Sequence, residues 1–274
     1  MGVVYTFTEH SCFIIVTMGQ VMSEEEASKM RAAEAELRDE LLFKQPESTH
    51  KGDCPICMIP LPIDPMKSNM WACCSKTICK GCFHVHKMRG MGMWRVPSCP
   101  FCRKPGPTTA EEYEKLLMKR IEVNDPVAMR FQGKEQNNKG NYSSGFEYLT
   151  KAAALGDVEA HFQLFQMYQH GRCVKKDLGK NLYHLREAAI GGHPLARHNL
   201  GVYEWYNNNN AERAVKHWAI SAALGYYESI KQLTKALKEG HVSKEEFAVA
   251  LRAHKAAVDA TKSAQRKVAE AFYR

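Results

Sequence analysis

Eight of the ten cysteines in this 274-residue chain fall between Cys54 and Cys102. Six form the Cys-x-x-Cys pairs Cys54/Cys57, Cys79/Cys82 and Cys99/Cys102, and the other two, Cys73 and Cys74, are adjacent. A Cys-x-x-Cys turn brings two sulfurs to one tetrahedral cation with little strain, and Zn²⁺ accepts four thiolates at about 2.3 Å. Eight thiols therefore suffice for two closed sites. Neither would keep an open coordination position, so the expected metal is structural and zinc-assisted hydrolysis is not expected. Disulfides and iron–sulfur clusters compete for the same residue type, and the redox compartment decides among them. Residues 1–22 carry no basic region, and their uninterrupted apolar run, Cys12 to Val16, is too short to cross a bilayer. The expected location is thus intracellular, cytoplasmic or nuclear, where clustered thiols bind metal.

The elements that must position these thiols follow from local pattern. Residues 1–22 are expected to be a disordered leader, with Met22 an alternative start. Residues 23–46 read as an amphipathic helix: Ser23 and Glu26 form a capping box, and Met30, Ala33, Leu37 and Leu41 make one apolar stripe, expected to pack on a neighbour. Residues 50–106 have little helical periodicity and much proline, so this segment needs metal staples to stay folded. A connecting helix at 107–124 opens with Thr109 and Glu112 and ends before Pro126.

From 125 to 240 the chain repeats. KAAALGDVEAHFQL, REAAIGGHPLARHNLG and ISAALGYYESIKQL each run from a small-residue helix end through glycine into a new helix. The marker glycines read from the sequence, Gly156, Gly191 and Gly225, stand 35 and 34 residues apart, the signature of stacked helix pairs. Phe162, Leu164, Tyr168, Leu200, Tyr203, Trp205 and Trp218 are the expected filling between layers. Residues 241–274 read as one long capping helix begun by Ser243 and Glu246, with Phe247, Ala250, Leu251, His254, Ala257 and Val258 on its apolar side.

With DCPIC, CKGC and CPFCR in order, the middle segment resembles a RING finger. In that family the first and third ligand pairs share one zinc and the second and fourth share the other. The resemblance implies Cys54, Cys57, Cys79 and Cys82 on one ion, and Cys73, Cys74, Cys99 and Cys102 on the other. Lys76 occupies the usual histidine position, and an ammonium cannot donate a lone pair. Either the all-cysteine RING frame applies, with Cys73 a ligand and the backbone bent at 73–74, or Cys74 is joined by His84 or His86, or the site has three thiols. The repeats similarly resemble Sel1-like repeats, relatives of the tetratricopeptide class. The fold implied is mainly α, a small cross-braced two-zinc RING-like domain followed by an α-solenoid of Sel1-like helix pairs.

These resemblances imply a RING-type ubiquitin ligase, or ligase subunit, that holds a protein or peptide substrate on its repeats. A RING supplies no nucleophile; it orients the ubiquitin-conjugating enzyme and its thioester. Residues matching the family's enzyme contacts are Ile56, Trp94, Pro100 and Arg103. The alternative is a non-catalytic, zinc-stabilised interaction adaptor. Nucleic acid is not an expected partner: the formal charge is +8, yet residues 51–106, at +7, fall to +3 once eight thiolates hold two Zn²⁺. A membrane partner is not expected either.

Overall fold

The computed structural model describes residues 24–91 and 97–273. The leader, Ser23 of the capping box and Trp94 lie outside them. The protein is mainly helical. It divides into two units, Met1–Leu42 and Phe43–Arg274. The first contains most of α1 (Glu24–Phe43), whose stripe residues Met30, Leu37 and Leu41 are exposed rather than packed as expected.

Within the second unit, the cysteine-rich segment holds a two-stranded antiparallel sheet, β1 (Ser68–Met70) with β2 (Thr77–Cys79), in which Asn69 faces Ile78. It then enters α2 (Lys80–Met91). The capping signal at 109 starts α3 (Ala110–Ile121): Thr109 Oγ1 accepts from Glu112 N, while Glu112 reaches back one residue further, to Thr108 N and Oγ1.

The repeats fold as antiparallel pairs: α4 (Pro126–Asn138) with α5 (Tyr142–Ala154), α6 (Val158–His170) with α7 (Leu178–Ile190), and α8 (Pro194–Tyr206) with α9 (Ala211–Ala223). Next comes α10 (Tyr227–Lys238), against which α11 (Lys244–Ala260) packs. Each pair also packs on the next, giving an α-solenoid. Asp125, Asp157 and Asp177 cap their helices, each accepting backbone N–H bonds in the first turn.

The left-handed residues that turn one pair into the next are Gly156, Gly192 and Gly225, with φ of 85°, 81° and 93°. The middle marker is therefore Gly192 and not Gly191. Gly191 serves close packing instead, since a Cβ there would collide with the Val158 side chain. Phe162, Leu164, Tyr168, Leu200 and Trp218 are buried, whereas Tyr203 and Trp205 are half-buried.

The expected single C-terminal helix is two. α11 ends at Ala260 with Thr261 as its C-cap, and Ser263 then accepts from Arg266 N to start α12 (Ala264–Phe272). Of the residues expected on its apolar side, Ala250 is buried and Phe247 packs on the Trp218 cluster, but Leu251 is exposed. α12 turns away from the stack to lie against α2.

Candidate metal centre

The sulfurs of the cysteine segment gather into two groups, Cys54/Cys57/Cys79/Cys82 and Cys73/Cys74/Cys99/Cys102, with all ligand atoms of a group within 4.8 Å of one another. Both could hold a metal ion. The pairs interleave along the chain, and the backbone explains how. Three turns share one hydrogen-bond pattern. In the first, Met58 N donates to Cys54 O at 2.8 Å and Cys54 N to Ile59 O at 3.0 Å. In the last, Arg103 N donates to Cys99 O at 2.9 Å and Cys99 N to Lys104 O at 2.8 Å. Between them, Ser75 N donates to Trp71 O at 2.7 Å and Trp71 N to Lys76 O at 3.0 Å. The fifth residue of each, Met58, Ser75 or Arg103, is left-handed, with φ of 53°, 56° and 59°.

The adjacent cysteines are thereby accounted for. In the middle turn Trp71 takes the position held by Cys54 and Cys99 in the others, and Cys74 matches Cys57 and Cys102. Cys73, one residue earlier, supplies the missing thiol because the turn bends the backbone there, with Cys74 N donating to Trp71 O at 3.1 Å. Trp71 is buried beside Phe83 and spends its side chain on the small core with Leu61 and Ile78. The fourth pair is built differently: Cys79 ends β2 and Cys82 sits in the first turn of α2, where Cys82 N points at Cys79 Sγ at 3.4 Å.

Neither His84 nor His86 belongs to either group. His84 is buried against the rings of Phe272 and Tyr273, and His86 Nε2 lies 2.6 Å from Ser98 O. Lys76 places its ammonium 4.6 Å from the Phe101 ring centre, a cation–π contact with no part in either group.

Sulfur spacing tests the fit. Four sulfurs 2.3 Å from a tetrahedral centre are about 3.8 Å apart. Cys57 and Cys79 are separated by 3.8 Å, Cys74 and Cys99 by 3.7 Å, and Cys73 and Cys102 by 3.2 Å. All three exceed a disulfide bond of about 2.05 Å, so the described cysteines are free thiols.

The hydrogen bond from Cys79 lowers the Cys54 thiol to about 4, and the same bond drives Cys79 far up; burial pushes Cys82 up to about 12. In the second group burial raises Cys73 and Cys74. Thiolates this close repel, so full ionisation of either group requires a cation at its centre.

A third group, His50, Glu159 and His193, has similar ligand spacing but different chemistry. Glu159 Oε2 is 3.2 Å from His50 Nε2 and 3.3 Å from His193 Nε2. His193 Nδ1 accepts from Ala196 N at 3.2 Å, which leaves the imidazole proton on Nε2, aimed at the carboxylate. The two rings are stacked at 4.5 Å and 12°, with both Nε2 atoms beside the same carboxylate oxygen. The group is a hydrogen-bonded latch: with His50 N donating to Gly192 O at 3.2 Å, it ties the chain entering the cysteine segment to the solenoid. Nothing in the sequence signals it, because its members lie far apart along the chain.

Of the expected contacts for a conjugating enzyme, Ile56 is 44% exposed, Pro100 is half-buried and Arg103 is exposed. Ile56 and Pro100 lie in the first and last of the three matched turns, and Arg103 holds the left-handed position of the last. The segment is fixed to the solenoid by Ala72, buried with Leu117 and Ala128.

No protein-family model matches the chain. DAP3-binding cell death enhancer 1 of Rattus norvegicus is 30% identical over 77 residues, 28% of this chain. The chain spans about 15% of that relative's length. Among solved structures, a protective antigen of uropathogenic Escherichia coli displaying an SLR fold is 20% identical, covering 54% of this chain and 34% of the other, with a TM-score of 0.47. A Sel1 repeat protein from Oxalobacter formigenes is 23% identical over 55% of this chain and 66% of its own, also at 0.47. An immunity protein from Pseudomonas aeruginosa is 18% identical, covers 60% and 62%, and scores 0.38. Among the described residues no helix is long and apolar enough to cross a membrane.

Proposed function

We propose that the two cysteine groups hold two structural Zn²⁺ ions and that the module they shape engages a ubiquitin-conjugating enzyme, with the solenoid holding the protein to be modified. The observation that supports this reading is the interleaving of the two tetrads, with Ile56 exposed in a turn of the first and Pro100 half-buried in a turn of the second. Zinc supplies no chemistry beyond shape: each tetrad is closed, and thiolates are its ligands. Transfer on such a surface is orientational. Ile56 and Pro100 offer an apolar foothold, and the planar guanidinium of Arg103 can bond two carbonyl groups at once. Trp94 belongs to the same proposed surface. A solenoid of paired helices offers an extended face for a protein or peptide.

The test is self-ubiquitination against a panel of conjugating enzymes, alongside Ile56→Ala. Expected is ubiquitin transfer with at least one enzyme, lost or strongly reduced in the variant while zinc content is unchanged. A second reading, a zinc-shaped interaction adaptor, is favoured by the burial of Ala72 against Leu117 and Ala128, which makes the module part of the solenoid's own surface. No transfer and no binding across the panel, from protein carrying two zinc ions, selects the adaptor.

A further inference from the structure

Among the described residues, the guanidinium of Arg266 is aimed at a cysteine tetrad from outside it. Arg266, on α12, is 7% exposed. Its Nη1 donates to Pro60 O and Thr261 O, each at 2.7 Å, and its Nη2 to Ile59 O at 3.0 Å and Cys57 Sγ at 3.7 Å. Ile59 is the residue whose carbonyl closes the first turn around Cys54. The neighbouring Gln265 Oε1 is 3.9 Å from Cys82 Sγ. One helix, more than 180 residues further along the chain, thus reaches two of the four sulfurs of the first tetrad.

The seat of that helix is specific. A Cβ on Gly81 would stand 2.8 Å from Arg266 N, so α2 must present a glycine there. Phe272 and Tyr273 cover His84, and Lys67 pairs with Glu270 at 2.7 Å. Among the described residues, no side-chain cation donates a hydrogen bond to a sulfur of the second tetrad: Lys76 lies over the Phe101 ring, and Lys104 acts on Cys102 through its charge. Four thiolates around a dication carry two net negative charges, and a buried guanidinium donating to one sulfur offsets part of that excess.

We propose that Arg266 is the outer-sphere partner of the first tetrad's ion, and that docking of α12 holds this site closed while the second tetrad is independent of it. The proposal rests on the reading that both tetrads bind metal. Losing such a partner weakens metal retention by about 10–100-fold.

The test uses the full chain loaded with zinc, and compares wild type, Arg266→Gln and the exposed-charge control Lys267→Gln. Ions retained against a competing chelator are counted by native mass spectrometry. The cadmium-113 spectrum of cadmium-loaded protein identifies the site. Expected in Arg266→Gln is one ion lost about 10–100-fold more readily and the other unchanged. The cadmium resonance that moves should be the one that survives Cys102→Ser. Equal weakening of both ions, no weakening, or the same effect in Lys267→Gln overturns the proposal. Arg266→Lys keeps the charge without the fork; if Arg266→Gln does not fold, this variant must still separate the two ions. Wild-type protein that binds no metal overturns the underlying reading as well, whereas two ions held equally in wild type and variant overturn the role of Arg266 alone.

Discussion

Stripping the metal should unfold the cysteine segment and leave the solenoid standing. Apart from its cysteines, the segment's core cluster has only Leu61, Trp71 and Ile78 buried. At about 1.5–3 kcal/mol per large apolar side chain, these three contribute roughly 5–9 kcal/mol. A structural zinc site contributes about 10–16 kcal/mol, so either ion outweighs these three side chains together. The solenoid clusters around Leu149 and Trp218 include no residue of the segment, so their packing does not depend on it. Hydrogen exchange before and after chelation, with the ions counted, reads this directly. The amides of Cys54, Met58, Trp71, Ser75, Cys99 and Arg103, which close the three turns, should lose protection. Those of α5, α6, α8 and α9 should keep it. Protection that persists at the three turns in metal-free protein refutes the argument, and loss across the whole chain refutes the independence of the solenoid.

The remaining predictions concern packing, acid stability and the transfer surface. Gly201→Ala would drive a Cβ into the Trp218 indole, which is 1% exposed and donates to His198 O at 3.3 Å, and should cost about 1–3 kcal/mol by denaturant unfolding. Burial opposes ionisation of Glu159, but hydrogen bonds from His193 and His50 prevail and hold its carboxyl well below the usual range. Because the folded value is depressed, that stabilisation is full above the unfolded carboxylate value of about 4.3 and is lost as pH falls below it. Glu159→Gln should therefore be about 1–3 kcal/mol less stable at neutral pH and show a shallower acid limb in a pH series of unfolding midpoints. Arg103→Gly suits the left-handed backbone at φ 59° and should preserve the turn, so a loss of ubiquitin transfer with zinc content intact would mark the guanidinium itself.

Local chemistry made much of this molecule legible. The small-residue helix ends and the glycine spacing act within a few residues, so the helix pairs could be read directly, whereas the caps at Asp125, Asp157 and Asp177 were identified only in the structure. The error at Gly191 is of the same scale: two adjacent glycines differ only in which one turns left-handed and which one makes room for Val158. The break before α12 was also present locally, in Ser263, but alanine-rich sequence on both sides gave it the periodicity of one continuous helix. α1 shows the opposite case, since an apolar stripe states that a face could be covered and not that anything covers it.

What the sequence by itself determined was the inventory: eight clustered thiols, three regular pairs and one irregular pair, followed by helices that stack. A thiol's preference for metal and a helix's capping and periodicity are properties of short stretches, and they survive without tertiary context. Only the tertiary structure decided that Trp71 occupies a ligand's place in the middle turn, that His84 faces the rings of α12, and that Arg266 reaches Cys57 from 209 residues away. It also decided that His50 and His193 share one carboxylate. These depend on which surfaces meet when the chain compacts. A hydrogen bond at 3 Å leaves no trace in a sequence that separates its partners by a hundred residues or more.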